Sequence, residues 1–214
     1  MGGFFITLEG IEGCGKSTQS RLLADYLIGK GISVTLTREP GGTEIGRRIR
    51  AILLDPESRA ITGLTELMLY SADRAQHLSE VIEPALARGG VVVCDRYADA
   101  TAAYQGHARG LDLDVIGSLT EIATKGCRPD LTLLLDLPVE LGLKRAIGRN
   151  SENGSDNEAR FEQEAVEFHD KVRQGYLRIA GCESDRVKVI DATGTIDEIQ
   201  LAIRAAVDEA IEGK

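Results

Sequence analysis

The chain has 214 residues, 43% of them hydrophobic, a plausible length for one domain with a substantial buried core. Its 25 Lys and Arg stand against 34 Asp and Glu, a net charge of −9, which argues against nucleic-acid or anionic-membrane binding driven by overall charge. An anionic ligand must instead meet a local cluster of arginines.

The chain opens MGGFFITLEG, with neither the charged n-region nor the apolar h-region of a signal peptide, and GFFITLE (3–9) reads as a first strand. Directly after it comes GIEGCGKS, which fits G-x-x-x-x-G-K-[ST] at Gly10, Gly15, Lys16 and Ser17. A helical pattern over 15–29 follows, so the motif sits between strand and helix as a phosphate-binding P-loop requires. In such a loop the backbone amides from Gly10 through Ile11, Glu12, Gly13, Cys14 and Gly15 to Ser17 and Thr18 cradle phosphate oxygens. Lys16 reaches the β- and γ-phosphates of ATP, and the Ser17 hydroxyl is a Mg²⁺ ligand. Glu12 is the oddity, a carboxylate inside an anion cradle.

Further along, ISVTLT (32–37), GVVVCD (90–95), LTLLLDL (131–137) and RVKVID (186–191) read as four more strands. VVVC and LTLLL are too continuously apolar for a sheet with one wet face, which predicts strands buried on both sides. Helical patterns cover 44–54, 64–88, 112–125, 138–148, 159–180 and 196–211. The expected architecture is one α/β domain over 1–214, a five-stranded parallel sheet flanked by helices, of the P-loop NTPase type. The polar stretch NSENGSDNEA (150–159) reads as a surface loop. No apolar run reaches membrane-spanning length. Cys14, Cys94, Cys127 and Cys182 form no CxxC pair and have no zinc-ligand set around them, as expected of reduced thiols in a cytoplasm.

No NKxD-like guanine reader or matching DxxG is present, and VVVCDRY and LLLDLP each offer a single aspartate, which disfavours a GTPase or a motor ATPase. A small kinase remains, and its acceptor residues belong on loops at the C-terminal ends of the strands. The arginines gather there, in TREPGGT (37–43) and DRYADATAAYQG (95–106), with YSADRAQH (70–77) on the helix between. Other readings are a different small-acceptor P-loop kinase or an ATP-binding regulatory module.

EGIEGCGKST, TREPGGT, ADRAQH and DRYADATAAYQG in that order resemble the thymidylate kinase family, and the resemblance runs through the terminal VIDAT. It implies transfer of the γ-phosphoryl of ATP to dTMP with Mg²⁺, by a homodimer that binds neither nucleic acid nor membrane. Arg38 and Arg96 match the pair that holds the acceptor monophosphate, and Asp95 the metal-side carboxylate. Tyr70 and Arg74, one helical turn apart, match the aromatic stacked on thymine and the arginine reading its carbonyl. Tyr104 matches the tyrosine packed beneath the sugar, and Thr101 and Gln105 contact the pyrimidine edge. Ala100 departs from the family's usual hydroxyl or amide. Glu12, by the same resemblance, faces the acceptor sugar and accepts a hydrogen bond from its 3′-hydroxyl, with its side chain turned from the triphosphate. The Glu39–Pro40 bond is cis in the family. One branch carries an arginine where this chain has Gly13, so the transferring phosphoryl must be neutralised from a lid, about 149–160. Arg149 and Arg160 match the lid arginines, in a lid made acidic by Glu152, Asp156 and Glu158. Arg149 is favoured as the acting one, and Arg145 is a candidate to stack on adenine.

Overall fold

The computed structural model describes residues 2–58, 60–153, 160–161 and 164–213, with only the backbone of 149–153. Its sheet contains β1 (Phe4–Glu9), β2 (Val34–Arg38), β3 (Val91–Asp95), β4 (Leu131–Asp136) and β5 (Val187–Asp191), all parallel, in the order β2-β3-β1-β4-β5. The three central strands are buried almost throughout, as their unbroken apolar runs require. Ile6 lies opposite Val93 on one side and Leu131 on the other. The paired Thr7 and Thr132 bond through their hydroxyls at 2.7 Å, so the two polar side chains in this interior satisfy each other. At the sheet edges Leu36 and Val189 are about half exposed.

Helices α1 (Lys16–Gly29), α2 (Glu44–Leu54), α3 (Gly63–His77), α4 (Glu83–Ala87), α5 (Ala98–Thr101), α6 (Leu113–Thr124), α7 (Val139–Asn153), α8 (Val166–Cys182) and α9 (Ile196–Glu212) complete the chain. Successive side chains of β1 alternate between two cores, Phe4, Ile6 and Leu8 in the larger and Phe5 with Leu78, Val92 and Tyr97 in the smaller.

Four sequence expectations need correcting. The single helix over 64–88 is α3, a π-helical turn at Leu78–Ile82, and α4. Pro84 near the start of α4 has no N–H to give residue 80, and the wider turn carries the chain past its ring. The segment after β3 is not a loop: α5 runs into a π-helical stretch at Ala102–Ala108 that carries Tyr104 and Gln105. Helix α7 extends to Asn153 instead of ending at 148, so Arg149 belongs to the helix and not to a loop after it. Helix α8 starts at Val166 instead of 159, because Arg160 and Phe161 are held in a turn against α2 and Tyr104. Half of the expected lid, 154–159, lies outside the described residues.

Chain order reverses at β1, which leads out to β2 on one side while β4 and β5 lie on the other. A crevice opens beyond the carboxyl ends of the strands at such a switch point. The loops after β1, β2 and β3 all empty into it.

Candidate active site

A cleft of about 550 Å³ occupies this switch point. At one end is the loop from Gly10 to Gly15, where Gly10, Gly13 and Gly15 take φ of 138°, 71° and 98°, a backbone that side chains would strain. Gly15 is the N-cap of α1 and supplies no side-chain cap, so the first amides of the helix are left to an anion. The Lys16 ammonium is folded into the loop, 3.0 Å from the Gly10 carbonyl and 2.7 Å from that of Ile11, and also meets Cys14 Sγ at 3.4 Å. Beside it Ser17 Oγ donates to Asp95 Oδ2 at 2.5 Å, which brings a P-loop hydroxyl and a strand-end carboxylate together. Gly13 packs against α7: a Cβ there would lie 2.0 Å from the Gly142 carbonyl oxygen. An arginine at position 13 cannot enter while α7 stays where it is.

The other end is built on α3 and the π-helical stretch. Tyr70 and Arg74 both line the cleft, as their i, i+4 spacing predicts. Arg74 is buried, and its Nε and Nη2 donate to Glu39 Oε2 (2.8 Å) and the Tyr97 carbonyl (3.0 Å). Its Nη1 has no hydrogen-bond partner among the described residues, and neither has the buried Thr101 hydroxyl. Two cleft-lining residues that each hold an unsatisfied polar atom suit a planar heterocycle with polar edges. Gln105 also lines it, with its amide nitrogen given to Glu66 at 2.7 Å. Glu39 is fixed by His77 as well, at 2.9 Å, and His77 meets Thr37 at 2.7 Å, so the loop after β2 is tied to α3. The Glu39–Pro40 bond is cis.

Between the two ends sit Arg38, Asp95 and Arg96. Arg96 has φ of 73°, uncommon for a residue with a side chain, and its fork donates to Tyr176 (3.2 Å) and to Glu12 Oε1 (3.0 Å) above the Tyr104 ring. Glu12 Oε1 also accepts from the Tyr104 hydroxyl at 2.6 Å. The Glu12 side chain thus turns toward Arg96 and Tyr104, resolving the anomaly of a carboxylate in a phosphate loop. Burial alone would raise its pKa, but His169, Arg96, Lys16 and Tyr104 outweigh that and hold it below the usual carboxylate range.

Glu9, at the end of β1, goes the other way. Burial, reinforced by Asp99, pushes its pKa up to about 7 although Tyr97 N and the Tyr176 hydroxyl both donate to it at 2.7 Å. A folded-state pKa above the ordinary 4.5 means that its contribution is complete below pH 4.5 and is lost as pH rises through 7. Wild type is therefore expected to lose up to about 3 kcal/mol of unfolding free energy between pH 5 and 8 relative to Glu9→Gln. Urea denaturation at both pH values checks this; an equal loss in both proteins would assign it to other groups, such as Asp73, whose pKa burial raises to about 6.

The expected lid arginines are placed differently. Arg160 does not reach over the cleft: it is buried, donating to the Leu53 carbonyl at 2.5 Å and to Glu66 Oε2 at 2.6 Å. Glu66, also held by Gln105 and Arg109, is a buried anion that needs that cation. Arg149 has its backbone in α7, and its side chain lies outside the described residues. Arg145 donates to the Ala192 carbonyl at 3.1 Å, beside the loop after β5. Sequence reasoning missed Arg21 and Arg50, which line the cleft from α1 and α2, and the supporting Glu9, Glu39, Glu66, His169 and Tyr176. The seven-residue spacing of His169 and Tyr176, two turns on one helix face, was the available signal for those two.

A family profile described as "Thymidylate kinase" matches residues 8–203. The thymidylate kinase of Geotalea daltonii is 54% identical over 212 residues, covering 99% of each chain. That of Syntrophotalea carbinolica is 57% identical over 196 residues, covering 92% of this chain and 91% of its own. A crystal structure of thymidylate kinase from Ehrlichia chaffeensis superposes with a TM-score of 0.77 at 32% identity, covering 97% of this chain and 99% of that one. With the P-loop at one end of the cleft and Arg74 at the other, these likenesses mean that the chain belongs to the thymidylate kinase family.

Proposed function

We infer that this cleft is where the chain transfers the γ-phosphoryl group of ATP to dTMP, giving ADP and dTDP. An oxygen of the acceptor phosphate attacks the γ-phosphorus as the bond to the β-phosphate oxygen breaks, and no protein nucleophile is needed. The observation that carries the reading is one cleft with two unlike ends, an amide-rich loop holding Lys16 and a region lined by Tyr70, Thr101 and Arg74, whose Nη1 is unpaired among the described residues.

The loop amides and Lys16 hold the triphosphate, Arg38 and Arg96 the acceptor phosphate, and Tyr70, Arg74, Thr101 and Gln105 the thymine. Tyr104 lies under the sugar, where its bulk disfavours a 2′-hydroxyl, and Glu12 accepts from the 3′-hydroxyl. Ser17 and Asp95 offer two adjacent hard oxygens, a fit for Mg²⁺, which takes few protein ligands and completes its shell with phosphate oxygens and water. When bound, the ion neutralises charge on the β- and γ-phosphates. Arg149 is the lid residue proposed to reach the transferring group.

Arg74→Ala is expected to weaken dTMP binding by about 1.5–3 kcal/mol and leave ATP binding within about twofold, with a lowered Tm alongside because it also unpairs the buried Glu39. Calorimetric titration of each ligand measures both; equal losses would refute this division of the cleft. The four unbridged cysteines favour the cytoplasm as its place. Exposed Ile45 and Ile52 on α2, Leu64 and Met68 on α3, and Val115 and Ile122 on α6 lie on helices packed side by side, and they support a homodimer formed through this face. Sedimentation equilibrium is expected to give twice the 23.1 kDa chain mass, and a monomer at micromolar concentration contradicts it.

A further inference from the structure

His169 is buried to 1% exposure on α8, yet its imidazole has no aligned hydrogen bond among the described residues. Its Nδ1 stands 3.2 Å from Glu12 Oε2, an ion-pair distance but out of line for a hydrogen bond, and Glu12 Oε2 has no aligned bond either. The other oxygen, Oε1, takes Arg96 and Tyr104. Arg96, Tyr104 and Glu12 all line the cleft, whereas His169 does not. The carboxylate is therefore held from the cleft side by groups that an acceptor nucleotide competes for, and from behind by one that it cannot reach. The neighbouring Phe168 ring lies perpendicular to the imidazole, with 5.6 Å between ring centres.

We propose that His169 is a positioning residue for Glu12: its Nδ1–H anchors Oε2 while the acceptor's phosphate draws on Arg96, which keeps the carboxylate aimed at the sugar hydroxyl. A buried donor and acceptor at 3.2 Å need only a small rotation to align, and leaving either unmade in a low-dielectric site is costly. When the phosphate of the acceptor takes up Arg96, Glu12 would otherwise lose a main restraint at the moment the 3′-hydroxyl arrives. His169 supplies a restraint independent of substrate.

The proposal rests on the reading of Glu12 as the 3′-hydroxyl acceptor, and the test separates the two. The quantity is the ratio of kcat/KM for dTMP to kcat/KM for 3′-deoxy-dTMP, in wild type, Glu12→Gln, His169→Phe and His169→Asn. A merely structural histidine would change both acceptors together and leave the ratio alone. We expect the ratio to fall about five- to tenfold in His169→Phe, the effect of loosening one charge-assisted hydrogen bond, and to return to within about threefold of wild type in His169→Asn, whose amide nitrogen can stand where Nδ1 does. A lowered ratio in Glu12→Gln with an unchanged ratio in His169→Phe overturns the role of His169 alone; an unchanged ratio in Glu12→Gln overturns the sugar reading beneath it. Independently of whether the variants fold, ¹⁵N NMR of the wild-type protein with dTMP is expected to find His169 Nδ1 carrying a proton. An unprotonated Nδ1 overturns the proposal.

Discussion

Replacing Lys16 with methionine is expected to lower kcat at least about a hundredfold, the usual cost of removing one preorganised charge from a developing anion. The ammonium is nearly buried within the loop and sits on the carbonyls of Gly10 and Ile11, so it is fixed before any phosphate arrives. Methionine keeps the volume of the side chain and removes its charge. It also leaves two carbonyls without their donor, so a stability loss of about 1–2 kcal/mol is expected alongside, with the fold intact by circular dichroism. A variant with that signature and lost transfer supports the P-loop assignment. Full activity would end it.

The second large effect separates the two lid arginines by the kind of damage each change does. Arg160 is the buried partner of Glu66, so Arg160→Ala leaves a carboxylate at 1% exposure with only Gln105 and the partly exposed Arg109. Breaking a buried pair by removing one partner costs about 3–5 kcal/mol, and the expected result is a markedly lower Tm. The side chain of Arg149 lies outside the described residues. Arg149→Ala is expected to lower kcat by at least about tenfold, roughly 1.4 kcal/mol, with a modest change in KM, because an arginine that acts on the transition state is not needed to bind either substrate. Single-turnover rates and thermal melts of both variants settle the assignment. Wild-type kcat in Arg149→Ala, together with a lowered kcat and unchanged Tm in Arg160→Ala, would reverse it.

The sheet and the P-loop were legible because their signals are local. Gly10, Gly15, Lys16 and Ser17 at fixed spacing can be seen without knowing what packs against them, and VVVC cannot be a half-wet strand. The spacing of Tyr70 and Arg74 put them on one helix face, and it was the resemblance, not the spacing, that pointed that face at the cleft. What the sequence concealed depends on contacts across the fold. Nothing in ENGSDNEARF says that Arg160 will meet Glu66, 94 residues away, and a charged stretch beside a loop reads as solvated until the buried carboxylate is found. The π-helical stretch carrying Tyr104 and Gln105 was missed because a π turn has no residue signature of its own, and the segment's glycine and small residues read as a loop. Glu9 looked like the polar end of a strand; only the surrounding Tyr97, Tyr176 and Asp99 show it as a buried group with an altered pKa. Gly13 was read as the place where one branch has an arginine; that the Gly142 backbone of α7 bars a side chain there required the fold.

Selection of thymidylate as the phosphoryl acceptor is proposed to lie in the region lined by Tyr70, Arg74 and Thr101. A coupled assay of ADP release, run with ATP and Mg²⁺ across dTMP, dUMP, dCMP, AMP and GMP, tests it most directly. The value of kcat/KM for dTMP is expected to exceed those for dCMP, AMP and GMP by at least about a hundredfold, because a base that offers no carbonyl at the place of thymine's leaves Arg74 Nη1 unpaired. Comparable turnover of AMP or GMP would contradict it, as would ADP release that no acceptor stimulates.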